Sequence, residues 1–509
     1  MFKAVVYLAA MTLAKISKVA VIGAGTSGVS TAAHLLKLGV DVVVFERGDI
    51  AGGVWHFDEN TAVEPVYPSV TPSKGDYERL SENLPAELTN SGYPSFDIEI
   101  GHAPPGPCYA GLMNNVSTRL MKTTLLPWPQ DIGDFVNQQY LEEYIQDISR
   151  TTGVHNITQY RTRVENVQKV EDSWQVHTIS LVKRGPKEQI FLQERRWIFD
   201  AIVAASGHYN APRIPDIPGL AKWKATWPDR VQHSKGYRKP AKFKDKTVLL
   251  VGAGVSSNDI AREISPLAKK VYQSSRGGIL DLPASLLPPG ATRIVGIHSF
   301  TTPDNISEIT GAQGSMLRSV HLTDGTTLED IDHVIMCTGY MISYPYLSQY
   351  HSDITDASSA SKEILVTSEG QMVHNCYKDT FFIPEPTLAL VGTPYHIATF
   401  SLFEFQGMVV ARVFAGLAEL PSTVQMQADY RQKLLLKGVG RDFHSLRGSG
   451  EEEKFVTQLV EWMNRDAKRL GHSAFLLGHT PEWHAANKDR EEKLTWLRAA
   501  KQGQVVKVT

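Results

Sequence analysis

The feature that most constrains the fold is a glycine-rich turn that joins an apolar strand to a helix near the N-terminus. The strand ends at Ile22, the turn spans Gly23–Gly28, a helical run extends to Leu38, and a second apolar strand ends at Glu46. In such a turn the first glycine permits a tight bend, and the second admits backbone N–H groups to a pyrophosphate. The third glycine allows close packing of the helix on the strand, and the acid accepts hydrogen bonds from a ribose diol.

This order predicts a dinucleotide site on a parallel α/β unit, with a glycine-rich turn that binds nothing as the alternative. After Glu46, paired glycines again let the backbone lie against a ligand. Trp55 either offers that ligand a flat apolar surface or fills a core position. The residues expected to contact this first dinucleotide are Gly23, Gly25, Thr26, Ser27, Gly28, Glu46, Arg47, Gly53, Val54 and Trp55.

A second unit of the same kind begins with the apolar strand Thr247–Val251 and continues through the turn Gly252–Ser257 into a helix and another strand. A serine replaces the third glycine, and it is small enough to pack against the strand. Ser275 stands where the first unit has its acid, and Arg276 follows. Hydroxyls and a guanidinium bind a 2′-phosphate that a carboxylate would repel, so the unit predicts NADPH rather than NADH, with a surface turn as the alternative. The expected contacts are Gly252, Gly254, Val255, Ser256, Ser257, Ser274, Ser275 and Arg276.

Length and composition limit the other possibilities. A chain of 509 residues is expected to form more than one domain, and its net charge of −2 would attract neither nucleic acid nor an anionic bilayer. The three cysteines form no CxxC pair, so we expect neither a disulfide framework nor a metal site, and a reducing, cytoplasmic compartment fits best. No apolar run is long enough to predict a membrane span. Residues 1–17 are a tail, which is either a targeting segment or the result of an upstream start.

Two further patterns concern the parts of the chain around and after the second unit. An apolar strand is followed directly by Thr338-Gly339, and we expect the backbone at these two residues to lie close to a cofactor. Ser401 and Glu404 have the spacing of a capping box and predict the start of a helix that runs to Phe414. The rest of the chain is helical, with apolar stripes that indicate packing.

Between the two units, residues 227–237 resemble the FxGxxxHxxxY fingerprint of the class B flavin-containing monooxygenases. His233 and Tyr237 match it, whereas Trp227 and Asp229 depart from it. Other stretches are similar to the same family and follow in the same order, so that the resemblance covers residues 18–421. They are the first glycine turn, Glu46-Arg47, Gly53-Val54-Trp55, Tyr109 with Leu112 and Asn115, Pro127-Trp128-Pro129, and Asp332 to Pro345.

This resemblance implies that NADPH on the second unit reduces FAD on the first. O2 then forms a C4a-hydroperoxyflavin that oxygenates a small organic substrate, most favourably at nitrogen or sulfur. The resemblance also places Asn114, Asn115, Thr338 and Gly339 at the flavin, with the amide of Asn115 as the catalytic group that hydrogen-bonds the distal peroxide. His233 and Tyr237 are then interdomain structural residues.

The implied fold is α/β, with two Rossmann-like dinucleotide-binding domains, the NADPH domain inserted in the FAD domain, and a helical C-terminal region. The expected boundaries follow from the two units and the linkers between them. The tail is residues 1–17, and the first part of the FAD-binding domain is residues 18–215. The NADPH-binding domain is residues 216–335. The second part of the FAD-binding domain, with the C-terminal helices, is residues 336–509.

Three alternatives stay open. Baeyer–Villiger oxygenation of a ketone or aldehyde uses the same fold, although enzymes of that kind prefer tryptophan at the position of Tyr237. A pyridine nucleotide-disulfide reductase shares the layout but needs a redox-active cysteine pair, which the separated cysteines do not provide. A redox sensor would bind FAD and NADPH without turnover.

Overall fold

A computed structural model describes residues 13–77, 96–184, 189–278, 281–301, 319–473 and 475–501 of the protein. Its strands are β1 (Lys18–Ile22), β2 (Asp41–Phe45), β3 (Thr158–Gln159), β4 (Thr162–Val170), β5 (Ser173–Arg184), β6 (Gln189–Phe199), β7 (Ala201–Ala204), β8 (Ala211–Pro212), β9 (Val231–His233), β10 (Thr247–Val251), β11 (Lys270–Ser274), β12 (Ala291–Ile294), β13 (Ile297–Phe300), β14 (Val320–Leu322), β15 (Thr327–Leu328), β16 (His333–Met336), β17 (Tyr340–Met341), β18 (His351–Ser352), β19 (Val366–Thr367), β20 (Cys376–Tyr377), β21 (Phe381–Phe382) and β22 (Leu388–Leu390). Its α-helices are α1 (Thr26–Lys37), α2 (Phe96–His102), α3 (Gln138–Thr151), α4 (Leu220–Thr226), α5 (Val255–Ile264), α6 (Thr399–Phe414), α7 (Thr423–Lys437), α8 (Glu451–Arg469) and α9 (Pro481–Lys501).

The first sheet has the strand order β20-β21-β22-β7-β1-β2-β3 and carries the first glycine turn. The strands from β22 to β3 are parallel, and β1 lies between β7 and β2. Both β1 and β7 are almost entirely buried, since elements pack on both faces of this sheet. The carboxyl end of β1 is therefore central, which is where an open α/β sheet binds its ligands.

The second sheet has the order β12-β11-β10-β16-β9 and carries the second glycine turn. All of its strand pairs are parallel. Because β10 is buried at every position and lies in the middle, the second turn also leaves the centre of its sheet. The two glycine turns thus occupy equivalent places in two separate sheets, which confirms the α/β fold with two dinucleotide-binding units.

A three-stranded antiparallel sheet, β4-β5-β6, is inserted between β3 and β7. The largest apolar cluster packs α1, α3, α6 and α8 on the first sheet. Gly407 allows α6 to approach α1 closely, because a Cβ at that position would lie 3.0 Å from the Cα of Thr31. Among the described residues, none of the helices is both long enough and apolar enough to cross a bilayer.

The prediction of a capping box at Ser401 and Glu404 is wrong. Helix α6 already begins at Thr399, and the hydroxyl of Ser401 donates to the carbonyl of Ala398 at 3.2 Å. Glu404 is buried and accepts hydrogen bonds from the backbone N–H and hydroxyl of Thr124, at 2.7 and 2.6 Å. Its Oε1 also lies 3.0 Å from Nε2 of His34. These tertiary partners, which local spacing does not reveal, engage the carboxylate instead of the helix N-terminus.

Candidate functional site

The two glycine turns open onto one continuous cavity of about 2510 Å³. This is larger than a single small-molecule pocket and has room for two dinucleotides. Gly28, Ser257 and Ser275 do not reach its wall, whereas all the other predicted site residues do. Those that line the cavity are Gly23, Gly25, Thr26, Ser27, Glu46, Arg47, Gly53, Val54, Trp55, Asn114, Asn115, Gly252, Gly254, Val255, Ser256, Ser274, Arg276, Thr338 and Gly339.

The first turn is built by close backbone approaches. Gly23 has a φ of +106°, and its N–H donates to the carbonyl of Phe45 at 2.8 Å. A Cβ on Gly28 would lie 1.9 Å from the carbonyl oxygen of Gly23, so the third glycine is required for packing and not for contact with a ligand. A Cβ on Gly53 would lie 2.9 Å from the Cα of Gly25, which brings two backbone segments together at the cavity wall.

Two polar groups at this turn fit a bound dinucleotide. The hydroxyl of Thr26 is buried and has no hydrogen-bond partner among the described residues; it lies at the start of α1, where the helix N-terminus attracts an anion. The carboxylate of Glu46 accepts the N–H of Ala24 at 2.7 Å and that of Gly48 at 2.8 Å. Each of its oxygens keeps a lone pair for a ribose hydroxyl. The donor set and the glycine cradle therefore suit the pyrophosphate and ribose of FAD.

Arg47 belongs to a buried ion cluster that the sequence did not reveal. Its guanidinium donates to both carboxylate oxygens of Asp76, at 3.2 and 3.3 Å, and Nζ of Lys235 lies 2.9 Å from the same carboxylate. Burial opposes ionisation of Asp76, but the two cations outweigh it and hold its pKa well below the usual range. These three side chains carry one excess positive charge, and the adjacent carboxylate of Glu46 offsets it.

The second turn repeats the geometry of the first. Gly252 has a φ of +111°, and a Cβ there would lie 2.5 Å from the carbonyl oxygen of Cys337. Ser257, at the third glycine position, is fully buried, and its Oγ accepts a hydrogen bond from Nε2 of Gln273 at 2.7 Å. The serine is tolerated because it bonds to the neighbouring strand. It does not face the cavity.

The three predicted phosphate-binding residues at the end of β11 differ in whether their side chains are already bonded within the protein. The hydroxyl of Ser274 donates to the carbonyl of Val295 at 2.9 Å, and that of Ser275 donates to the carboxylate of Asp281, so both serve the protein. Arg276 is exposed and has no carboxylate partner in the described part of the chain. Burial lowers the pKa of Arg213, the positive charges of Arg276 and Arg441 lower it further, and the negative charge of Glu369 acts in the opposite direction.

Arg213 was not predicted, because it stands in a proline-punctuated linker far from the glycine turns in sequence. It lines the same cavity, and its backbone N–H donates to the carbonyl of Gly339 at 2.9 Å. Both arginines line the cavity, and two guanidinium groups fit the doubly charged 2′-phosphate of NADPH. No motif in the sequence marks Arg213 as part of this site.

The two adjacent asparagines differ in environment. Asn114 is buried, and its Nδ2 donates to the carbonyls of Val116 and Asp134 at 2.7 and 2.8 Å, while its Oδ1 accepts the N–H of Val136 at 2.6 Å. Asn115 is exposed on the cavity wall, and its amide has no hydrogen-bond partner within the described ranges. Asn114 thus braces the loop that presents Asn115.

The junction of the two units is held by Thr338, Gly339 and His233. The hydroxyl of Thr338 donates to the carbonyl of Arg213, and Nε2 of His233 lies 3.1 Å from the carbonyl of Gly339. Nδ1 of His233 accepts the N–H of Lys235, so the ring proton is on Nε2. Burial lowers the pKa of His233 to about 3, and the ring is therefore neutral and serves as a bridge.

Comparisons with known proteins agree with this geometry. The model of the flavin-binding monooxygenase-like family matches residues 101–283 and 304–463, and the model of FAD-dependent oxidoreductases matches residues 18–60. Flavin-containing monooxygenase ustF2 of Aspergillus flavus is 40% identical over 94% of this chain and 97% of its own. Flavin-containing monooxygenase ustF1 of the same organism is 36% identical over 94% and 90%. The structure of S-allyl-L-cysteine S-oxygenase from Allium sativum is similar with a TM-score of 0.64 and 23% identity, over 96% of each chain.

Proposed function

The chain belongs to the flavin-binding monooxygenase-like family, and from this premise we propose that it oxygenates a nitrogen or sulfur atom of a small organic substrate. It is an NADPH-dependent flavoprotein monooxygenase that uses FAD, NADPH and O2. Bound FAD, once reduced by NADPH, supplies the activation of O2. The residues of the chain bind, orient and shield the reacting groups.

We assign FAD to the first turn and NADPH to the second. The Gly25–Gly53 cradle and the unpartnered hydroxyl of Thr26 would hold the FAD pyrophosphate, with Glu46 at the ribose. Arg276 and Arg213 would bind the 2′-phosphate of NADPH, which the carboxylate of Glu46 at the first turn would repel. The strand composition of the two sheets supports residues 18–215 and 336–509 as the FAD-binding domain and residues 216–335 as the NADPH-binding domain.

The observation that carries the proposal is that one cavity joins both turns and reaches the free amide of Asn115. A positioned amide in a pocket that excludes water stabilises negative charge as it develops on oxygen, and it needs no reorganisation to do so. Asn115 meets the requirement for positioning because Asn114 and the surrounding loop fix its backbone, and bound FAD and NADPH would have to exclude water from its exposed amide. We therefore assign Asn115 as the catalytic residue that faces the reacting oxygen.

The test is oxygen transfer from isotopically labelled O2. With purified holoenzyme and NADPH, we expect the label in the oxide of a thioether or amine, in proportion to NADPH consumed. Asn115→Ala should divert a larger share of NADPH oxidation to hydrogen peroxide. NADPH consumption without label in any organic product would contradict the proposal, and conversion of a ketone to a labelled ester would favour Baeyer–Villiger oxygenation instead.

A further inference from the structure

The cavity continues past Asn115 to a region built by elements that follow β22. Four cations from these elements line it, and we call them the basic wall. They are Arg441, Arg447, Arg490 and Lys493. None of them lies near either glycine turn in sequence, and the last two project from α9. The basic wall is therefore a part of the cavity lining to which neither glycine turn contributes.

The basic wall carries more positive than negative charge. Arg447 pairs with Asp442 at 3.0 Å, and Arg490 pairs with Glu452 at 2.6 Å. In the part of the chain that the structure describes, Arg441 and Lys493 have no carboxylate partner. The guanidinium of Arg441 lies 5.5 Å from the ring of Tyr395, and the ammonium of Lys493 lies 5.3 Å from that of Phe135.

Arg441 is the member of the basic wall that lies against Gly339. A Cβ on Gly339 would lie 2.9 Å from its Nη1, so the guanidinium reaches the junction of the two units. It is partly buried. Desolvation in the pocket lowers the pKa of His396 to about 4, and the positive charges of Arg447 and Arg441 add to this effect. A guanidinium in such surroundings is stabilised by an anion, and no carboxylate among the described residues pairs with it.

Aromatic side chains form an apolar surface next to Arg441. The rings of His208 and Tyr395 lie 4.5 Å apart, and those of Tyr209 and Tyr340 lie 5.5 Å apart. His208 links the two pairs, with its ring centroid 4.4 Å from that of Tyr209. Burial lowers the pKa of His208 to about 3, so the ring is neutral and adds no charge to this surface. The surface can pack against a carbon skeleton whose charged end points to Arg441.

Resting on the monooxygenase function proposed above, we propose that the substrate carries a carboxylate that binds to Arg441. Its carbon skeleton packs against Tyr395 and Tyr209, and the rest of the basic wall draws the anion into the cavity. The cations at the second turn, Arg213 and Arg276, are engaged by the phosphate of NADPH, which leaves Arg441 for the substrate.

The test compares the binding of benzylthioacetic acid and benzylthioacetamide to the oxidised holoenzyme with bound NADP⁺, by titration calorimetry. The two probes share one carbon skeleton and one thioether, and they differ in whether the terminal group is a carboxylate anion or a neutral amide. We expect the acid to bind at least about tenfold more tightly, because hydrogen bonds to charged groups are the stronger class. Arg441→Gln should bring the two dissociation constants together, and Arg441→Lys should keep part of the preference. Arg431→Gln, which changes an exposed arginine of α7 outside the cavity, should keep all of it.

Flavin content and circular dichroism establish that each variant is folded. An acid that binds no more tightly than its amide overturns the proposal, and this includes the case in which neither binds. It is also overturned if Arg441→Gln keeps the preference for the acid but weakens NADP⁺ binding, since Arg441 would then serve the nucleotide. Binding needs no oxygenation, so a failure here is distinct from the absence of labelled product, which counts against the proposed function.

Discussion

At the scale of the residue, identical side chains have different tasks according to what surrounds them. Asn114 and Asn115 are neighbours, yet the first uses all of its amide for the backbone and the second leaves it free on the cavity wall. Ser274 and Ser275 were expected at a phosphate, but their hydroxyls bond to Val295 and Asp281. Within this group, we therefore expect the recognition of a 2′-phosphate to depend on Arg276.

We predict that Arg276→Ala lowers kcat/KM for NADPH by about tenfold or more and changes that for NADH little. An arginine–phosphate contact is a charge-assisted hydrogen bond of about 1.5–3 kcal/mol. NADH has no 2′-phosphate, so it does not make this contact and loses nothing when the arginine is removed. Steady-state kinetics with both nucleotides measure the ratio. Arg431→Ala, at an exposed position away from the cavity, is the control and should leave the ratio as it is. An unchanged ratio in Arg276→Ala would show that this side chain does not select NADPH.

At the scale of the element, α9 packs through the buried Trp483 and Ala486 and is also held by a few ionic contacts. Glu452 on α8 is buried, and its Oε1 accepts the N–H of Ala398 at 2.8 Å. Its Oε2 accepts from Nη1 of Arg490 at 2.6 Å, and Nη2 of the same guanidinium donates to the carbonyl of His396 at 2.9 Å. One carboxylate thus connects α8, α9 and the segment before α6.

We predict that Glu452→Ala lowers the free energy of unfolding by about 3 kcal/mol, because it leaves a largely buried guanidinium and a backbone N–H without an acceptor. Glu453→Ala is a matched control on the same turn of α8. Glu453 pairs with His484 at 3.2 Å where both are partly exposed, and its loss should cost about 1 kcal/mol or less. Urea denaturation of the holoenzyme measures both variants. If both variants lost the same free energy of unfolding, Glu452 would contribute no more than Glu453 to holding α9 in place.

At the scale of the whole molecule, two sheets with separate cores share one cavity and are bridged by buried polar groups. His233 connects the junction of the units, and His374 lies between Thr367 and Tyr430 at 3.2 and 3.4 Å. Burial lowers the pKa of His233 to about 3 and that of His374 to about 4. Both are therefore neutral in the folded protein at physiological pH.

We predict that the protein loses stability as the pH falls from about 6.5 toward about 4. The unfolded chain has ordinary histidines with a pKa near 6.5, so it binds protons in this range that the folded protein does not bind. Stability from these groups is present in full above pH ~6.5. Urea midpoints between about pH 8 and pH 5 measure the effect, and His374→Gln should reduce the slope. A midpoint that stays constant or rises on acidification would contradict this reasoning.

The sequence by itself determined the two glycine turns, the acid at one and the arginine at the other, because these depend on residues close together in the chain. Strand, turn and helix follow from local periodicity and from the conformations that glycine permits. The family resemblance added FAD, NADPH and O2.

The hydrogen-bond partner of each polar side chain became known only from the folded arrangement of distant segments. Glu404 was assigned to a helix cap and is held instead by Thr124 and His34, and Arg213 joins Arg276 from a distant linker. Asn115 and Arg441 likewise come together in one cavity although hundreds of positions separate them. A side chain bonds to whatever acceptor or donor the folded chain brings within about 3 Å, and local sequence does not contain that distance.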